Sequence, residues 1–223
     1  MDAVAVKRRA HRLLEWGLSL ALPRVCVACG GLSAPGRSLC ALCKDAMLTE
    51  SVQPALPDGV RTLQVGARHG GPARRLVHGI KYEGLRSARK DLADLLVGRG
   101  VVLPAGAVLV PVPITSTRRR ERGYNQAEQI ALELGARLGA PVSSDFLVRT
   151  KFRGSQTRRS GDERREALEG MFAAGRGFRR EAVPVLVDDV LTTGATLSAC
   201  AAICLHGGVP EVHAVCAVWA GEA

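Results

Sequence analysis

Two apolar periods alternate along this chain, and their alternation predicts the architecture. Residues 60–67 switch weakly between apolar and polar positions, as a strand does. In 72–82 and 85–97, Leu76 and Ile80, then Leu92, Leu95 and Leu96, recur at helical spacing. The run Val108-Leu-Val-Pro-Val-Pro113 reads as a short strand stopped by proline. From Gln126 to Leu138, one face holds Ala127, Ile130, Ala131, Leu134 and Leu138, and Asn125 is placed to cap the helix. Beyond it come a strand at 146–149, a polar basic loop at 154–161 and a short helix at 164–168. A buried strand at 183–187, a helix at 196–205 and a last strand at 212–218 complete the series. Such alternation predicts an α/β fold: a mostly parallel sheet flanked by helices on both faces. Ligands of these sheets bind at the carboxyl ends of the strands.

Upstream, Lys7, Arg8, Arg9 and Arg12 precede an apolar run, Leu13–Leu22, that Glu15 interrupts. No small-x-small cleavage site separates this run from Cys26, so 3–22 reads as an amphipathic helix and a cytoplasmic protein is expected. No stretch approaches the roughly 20 apolar residues that span a bilayer, so stable membrane insertion is not expected.

The 223 residues, 47% of them apolar, suffice for one α/β domain and a small appendage without any need to oligomerise. The oligomeric state stays open. Aromatic residues make up 4%, which counts against a base-stacking platform. The formal charge of +10 is concentrated in two runs. One is Arg118, Arg119, Arg120 and Arg122; the other is Arg149, Lys151, Arg153, Arg158, Arg159, Arg164 and Arg165. Such charge attracts nucleic acid, acidic membranes or phosphorylated small molecules alike.

Four of the seven cysteines form two pairs, Cys26-x-x-Cys29 and Cys40-x-x-Cys43. Two residues between thiolates let a tight turn aim both sulfurs at one tetrahedral ion. Gly30 and Gly31 come directly after the first pair, where such a knuckle needs positive φ. A structural Zn²⁺ is the expected occupant, with disulfides or an iron–sulfur cluster as rivals. These cysteines and the helix before them define a segment, 1–50, ahead of a larger domain at 51–223, with a proline-bearing connector at 51–59. Cys200, Cys204 and Cys216 lie among apolar residues and read as core.

The chemistry concentrates where the strand at 183–187 ends. Asp188 and Asp189 stand at its tip, and Thr192-Thr-Gly-Ala-Thr196 then runs into a helix. Gly194 permits a tight turn and close backbone approach, and the helix N-terminus directs amides and a positive dipole end at one spot. Hydroxyls of Thr192, Thr193 and Thr196 add donors for a phosphate. Two adjacent carboxylates suit the vicinal hydroxyls of a ribose.

Val185–Leu197 resembles the sugar-phosphate loop of phosphoribosyltransferases. The order of the two Cys-x-x-Cys pairs, Leu109-Val-Pro-Val-Pro113, Arg122-Gly-Tyr-Asn-Gln-Ala-Glu128 and the Asp-Asp loop is similar to the ComF-like family of competence-associated proteins, over nearly the whole chain. The resemblance implies a zinc-finger segment ahead of a type I phosphoribosyltransferase domain that binds phosphoribosyl pyrophosphate (PRPP) with Mg²⁺. It places Asp188 and Asp189 on the ribose hydroxyls and Thr192, Thr193, Gly194, Ala195 and Thr196 on the 5-phosphate. It sets Pro113, Ile114 and Thr115 at the pyrophosphate, with Arg118 steadying the departing charge and 149–165 closing over it. Purine-salvage relatives carry aspartate where this chain has Thr192, so the resemblance fixes the donor better than the acceptor. It also implies a rival reading, a non-catalytic protein that senses PRPP or handles single-stranded DNA with the DNA-uptake machinery.

Overall fold

The computed structural model describes residues 25–85, 87–150 and 170–221. The helices expected at 3–22 and 164–168, the loop at 154–161 and all of the second basic run except Arg149 lie outside the described residues. A first helix, α1 (Ala41–Thr49), leads to β1 (Thr62–Arg68), α2 (Gly71–Tyr82) and α3 (Ala88–Gly98). Next come β2 (Ala107–Pro111), α4 (Ser116–Arg122), α5 (Gln126–Leu138) and β3 (Leu147–Arg149). The series ends with β4 (Phe172–Ala174), β5 (Val183–Leu191), α6 (Ala195–His206) and β6 (His213–Trp219).

Four strands form one sheet in the order β1-β6-β5-β2, and every neighbouring pair is parallel. Successive residues of β5 face opposite layers, as strand geometry requires. Val185 and Val187 pack with Leu76, Leu92, Ile130 and Leu134 from α2, α3 and α5. Leu186 packs on the other side with Leu197, Cys200 and Cys204 of α6. The expected parallel sheet with helices on both faces is thus present, and the three spare cysteines are buried in its core.

Three departures from the sequence pattern have physical causes. β5 extends through Asp188 and Asp189 to Leu191, where two charges had ended the apolar run. The ladder to β6 continues regardless, with Asp188 opposite Cys216 and Leu191 opposite Trp219. The strand at 146–149 stays out of the main sheet and pairs antiparallel with β4. Finally, α1 buries only Met47 and α4 buries no residue, so neither carries the apolar period that announces a helix. What forms α4 is a cap: the Thr115 side chain accepts a hydrogen bond from Arg118 N.

Candidate functional site

The four paired cysteines converge. Their sulfurs all lie within 4.8 Å of one another, and Cys29 Sγ stands 3.8 Å from Cys40 Sγ. Sulfurs held tetrahedrally at about 2.3 Å from a zinc ion are about 3.8 Å apart, so little movement separates this cluster from a zinc site. Gly30 has φ +75° and donates from its N to Cys26 O at 2.9 Å, which turns the chain between the sulfurs. Burial raises the Cys26 thiol, but amides of Cys40, Cys29 and Ala28 outweigh it and bring the thiol down to about 6. Burial and the neighbouring thiols of Cys29, Cys40 and Cys26 push Cys43 up to about 12. One easily ionised sulfur, Cys26, and one reluctant one, Cys43, belong to a donor set that a divalent cation completes by displacing protons.

Side chains of α2 and α3 tie this knuckle to the helices that flank the sheet. Arg75 of α2 donates from Nη1 to Val27 O at 3.0 Å and to Ala28 O at 2.6 Å, the two carbonyls inside the first Cys-x-x-Cys. Ser38 N donates to Asp91 Oδ2 at 2.6 Å, and Arg37 pairs with Asp94. Cys26, Leu39 and Met47 share one buried cluster with Leu76 and Leu92.

The second constellation sits at the carboxyl ends of β2 and β5. These strands are neighbours, with Pro111 opposite Val187, so the turn at 113–115 and the stretch 188–196 share one edge. Asp188 is half-buried, and its Oδ1 accepts from Asp189 N at 2.8 Å. Loss of water and the charge of Asp189 push its carboxyl up to about 8, against a smaller pull from Lys81. Asp189 is buried, and its Oδ2 lies 2.9 Å from Lys81 Nζ, with side-chain exposures of 20% for Lys81 and 12% for Asp189. Among the described residues that oxygen receives no hydrogen bond of good geometry, which leaves an acceptor lone pair unused.

Beyond the carboxylates, Gly194 takes φ +80° as the cap of α6. A Cβ there would stand 2.9 Å from Pro57 Cγ of the connector, so both the backbone angle and the contact exclude a side chain. Thr192 and Thr193 are exposed, Thr196 and Ala195 half-buried, and Thr193 Oγ1 accepts from Ala195 N at 3.4 Å. On the β2 side, Pro113, Ile114 and Thr115 are half-buried. Buried Asn125 holds this turn: its Nδ2 donates to Val112 O at 3.0 Å while its Oδ1 accepts from Ala127 N.

Arg118 is exposed on the first turn of α4. It lies close enough to Arg149 that burial and then the Arg118 charge lower the Arg149 pKa. Arg149 stacks its guanidinium 5.0 Å from the Phe172 ring centroid, so α4 and β3 bring two cations to the same neighbourhood. The sequence pattern did not single out Lys81. It lies on the polar flank of an amphipathic helix, and nothing in its spacing connects it to a carboxylate far along the chain.

No described helix is long and apolar enough to cross a membrane.

Comparison with known proteins gives this geometry a setting. No protein-family model matches the chain. Competence protein F of Haemophilus influenzae is 34% identical over 110 residues, which cover 47% of each chain. DNA utilization protein YhgH of Salmonella typhi is 30% identical over 65% of this chain and 66% of its own length. The YhgH of Salmonella typhimurium is 28% identical over 92% of this chain and 91% of its own. The match thus spans about half the length of the Haemophilus protein and about two thirds of the first YhgH. Among solved structures, the allosteric regulatory enzyme of purine biosynthesis is 20% identical over 63% of this chain and 30% of that one. Its TM-score of 0.45 marks a likeness too loose to argue from.

Proposed function

The chain is a homologue of Competence protein F and DNA utilization protein YhgH, ComF-like as its motifs predict, and from that premise we propose that it is a PRPP-binding, phosphoribosyltransferase-like protein. One observation carries the reading. The Asp188–Asp189 pair runs directly into a positive-φ glycine turn and a helix N-terminus, beside the turn at the end of β2. Carboxylates for ribose hydroxyls and amides for a phosphate thus occur on one edge, in the order a sugar phosphate needs.

In this reading Asp188 and Asp189 bind the ribose hydroxyls, and Thr192–Thr196 bind the 5-phosphate. Pro113, Ile114 and Thr115 line the pyrophosphate, and Arg118 faces the charge that develops on it. Mg²⁺ bound with PRPP would supply further positive charge at the pyrophosphate. Catalysis, if an acceptor is present, breaks the bond from ribose C1 to the pyrophosphate oxygen, and the electron pair leaves with pyrophosphate. A lone pair of the acceptor then forms the new bond to C1. The transition state is cationic at the ribose, so positioning and fixed charge do the catalytic work. Thr192 gives no acid or base, so the acceptor must lose its proton elsewhere. In the same reading the four cysteines hold a structural zinc, residues 1–50 form the zinc-binding segment ahead of a phosphoribosyltransferase-like domain at 51–223, and the protein acts in the cytoplasm.

Calorimetric titration with PRPP and Mg²⁺, and then pyrophosphate release across candidate acceptors, tests this reading. Replacing both Asp188 and Asp189 with asparagine should weaken PRPP at least about tenfold, since hydrogen bonds to charged groups contribute roughly 1.5–3 kcal/mol each. Unchanged affinity would place the site elsewhere. The names of the relatives favour a second reading, the handling of single-stranded DNA, for which exposed Arg118, Arg119 and Arg120 are suitable cations. Binding of that kind weakens steeply with salt and ignores the double asparagine change.

A further inference from the structure

Helix α2 touches both constellations. Near its start, Arg75 donates to Val27 O and Ala28 O inside the first Cys-x-x-Cys. In its last turn, Lys81 pairs with Asp189 at 2.9 Å. Lys81 follows Arg75 by six positions, about 9 Å along the axis. Between them the helix is locked: Leu76, Val77, Gly79 and Ile80 are buried. Tyr124 OH donates to Ile80 O, and a Cβ on Gly79 would meet Leu85 Cδ2 at 2.7 Å. A stiff element fixed at one end transmits its placement to the other, because a close-packed interior shifts as a body rather than deforming gradually.

We infer that Arg75 is a positioning residue that couples the cysteine knuckle to the carboxylate edge through α2, so that an ordered, zinc-loaded knuckle sets the affinity for PRPP. The inference rests on the PRPP reading for its ligand but not for its structural link. Loading the knuckle fixes the carbonyls of Val27 and Ala28. Those carbonyls hold Arg75, Arg75 holds the helix, and the helix holds Lys81 against Asp189. With the knuckle loose, α2 loses its outer anchor and Lys81 no longer presents a fixed charge to the carboxylate pair. The chain then senses its own metal state or thiol oxidation at a site that contains no cysteine.

The experiment uses the full chain with zinc bound. Arg75→Ala leaves all four thiols in place and should weaken PRPP with Mg²⁺ about fivefold, within the range that coupling residues reach. Arg74→Ala removes the same charge from the same helix, and its side chain bonds neither carbonyl, so it should leave affinity unchanged. Arg75→Lys, able to reach one carbonyl, should recover part of the loss. Amide exchange should rise in Arg75→Ala across 76–82 and 188–191 as well as in the knuckle. Extracting zinc from the wild type should reproduce that pattern, and Arg75→Ala should add little to it. Wild-type affinity in Arg75→Ala, with faster exchange confined to 25–50, would overturn the coupling. An equal loss in Arg74→Ala would also overturn it, by reducing the effect to charge alone. If wild-type protein fails to bind PRPP, the ligand assignment falls, and the exchange pattern still decides whether the two ends of α2 are linked.

Discussion

The cysteine knuckle and the carboxylate edge are built by opposite means. All four thiols of the knuckle come from residues 26–43, and one tight turn and the start of α1 bring them together. The edge instead draws on α2, β2, α4, β5 and α6, and exists only because the sheet order sets β2 beside β5. Charge separates them too. In the knuckle, one cation would satisfy every sulfur; at the edge, two carboxylates share the ammonium of Lys81, and Asp188 keeps its proton up to about pH 8, so negative charge grows there when a ligand or its metal draws that proton off. A closed site of the first kind offers no open position to a substrate and acts only through the segment it holds in place. A site of the second kind, with polar groups left in excess, is where chemistry is found.

Metal removal should break this comparison most severely. Cys40→Ser should reduce bound zinc from one per chain to a trace in elemental analysis, with amide exchange across 25–50 rising by orders of magnitude. Structural zinc contributes about 10 kcal/mol or more to small zinc-dependent folds, and no bond at the edge approaches that. Full zinc occupancy in the variant would show that the thiols do not define the site. At the edge, Lys81→Met should cost about 3 kcal/mol in chemical denaturation, because it leaves Asp189 mostly buried without its cation. Lys81→Arg should restore most of it. A loss below about 1 kcal/mol would mean that solvent screens the pair and that the two regions differ less than their geometry implies.

The same contrast governs how much could be read from sequence. The knuckle was legible because a two-residue spacer between cysteines dictates where both sulfurs point. The strands and most helices were legible because their buried faces impose a period, as Ile130, Ala131 and Leu134 do on α5. Asp188, Asp189 and Gly194 stood out because a double acid and a glycine interrupt an apolar run. Lys81 stayed hidden because its role depends on how α2 crosses from the end of β1 toward β5, which is a matter of packing and not of local spacing. α4 stayed hidden for a related reason: a helix with no buried residue leaves no apolar trace, and its sequence resembles a solvated run of arginines. The extension of β5 past Val187 was equally opaque, since the ladder to β6 is indifferent to whether the side chains are charged.

The smallest expected effect is a pH dependence that belongs to the edge alone. Asp188 has its carboxyl raised to about 8 by loss of water and by Asp189. Below about pH 4 the group is protonated whether the chain is folded or unfolded, and it costs nothing. As pH rises from there, the unfolded chain releases the proton while the folded chain keeps it, so stability falls until pH reaches about 8. Above that point both forms are ionised and the penalty is complete. Asp188→Asn cannot ionise, so its stability relative to wild type should climb over this window and then level off. The carboxyl keeps some contact with solvent, which screens the repulsion, so the gain should be on the order of 1–2 kcal/mol at pH 8. Other groups, Asp91 and Glu133 among them, shape the background and are unchanged by the substitution. Burial raises Asp91, which adds a slope of the same sign. Glu133 is lowered, burial being outweighed by hydrogen bonds from Arg137 and Arg89, and adds a slope of the opposite sign. The test is the difference between the denaturation curves of variant and wild type from pH 4 to pH 9. A difference that stays flat would mean that Asp188 ionises as freely folded as unfolded, and that the edge carries its full double charge even without a ligand.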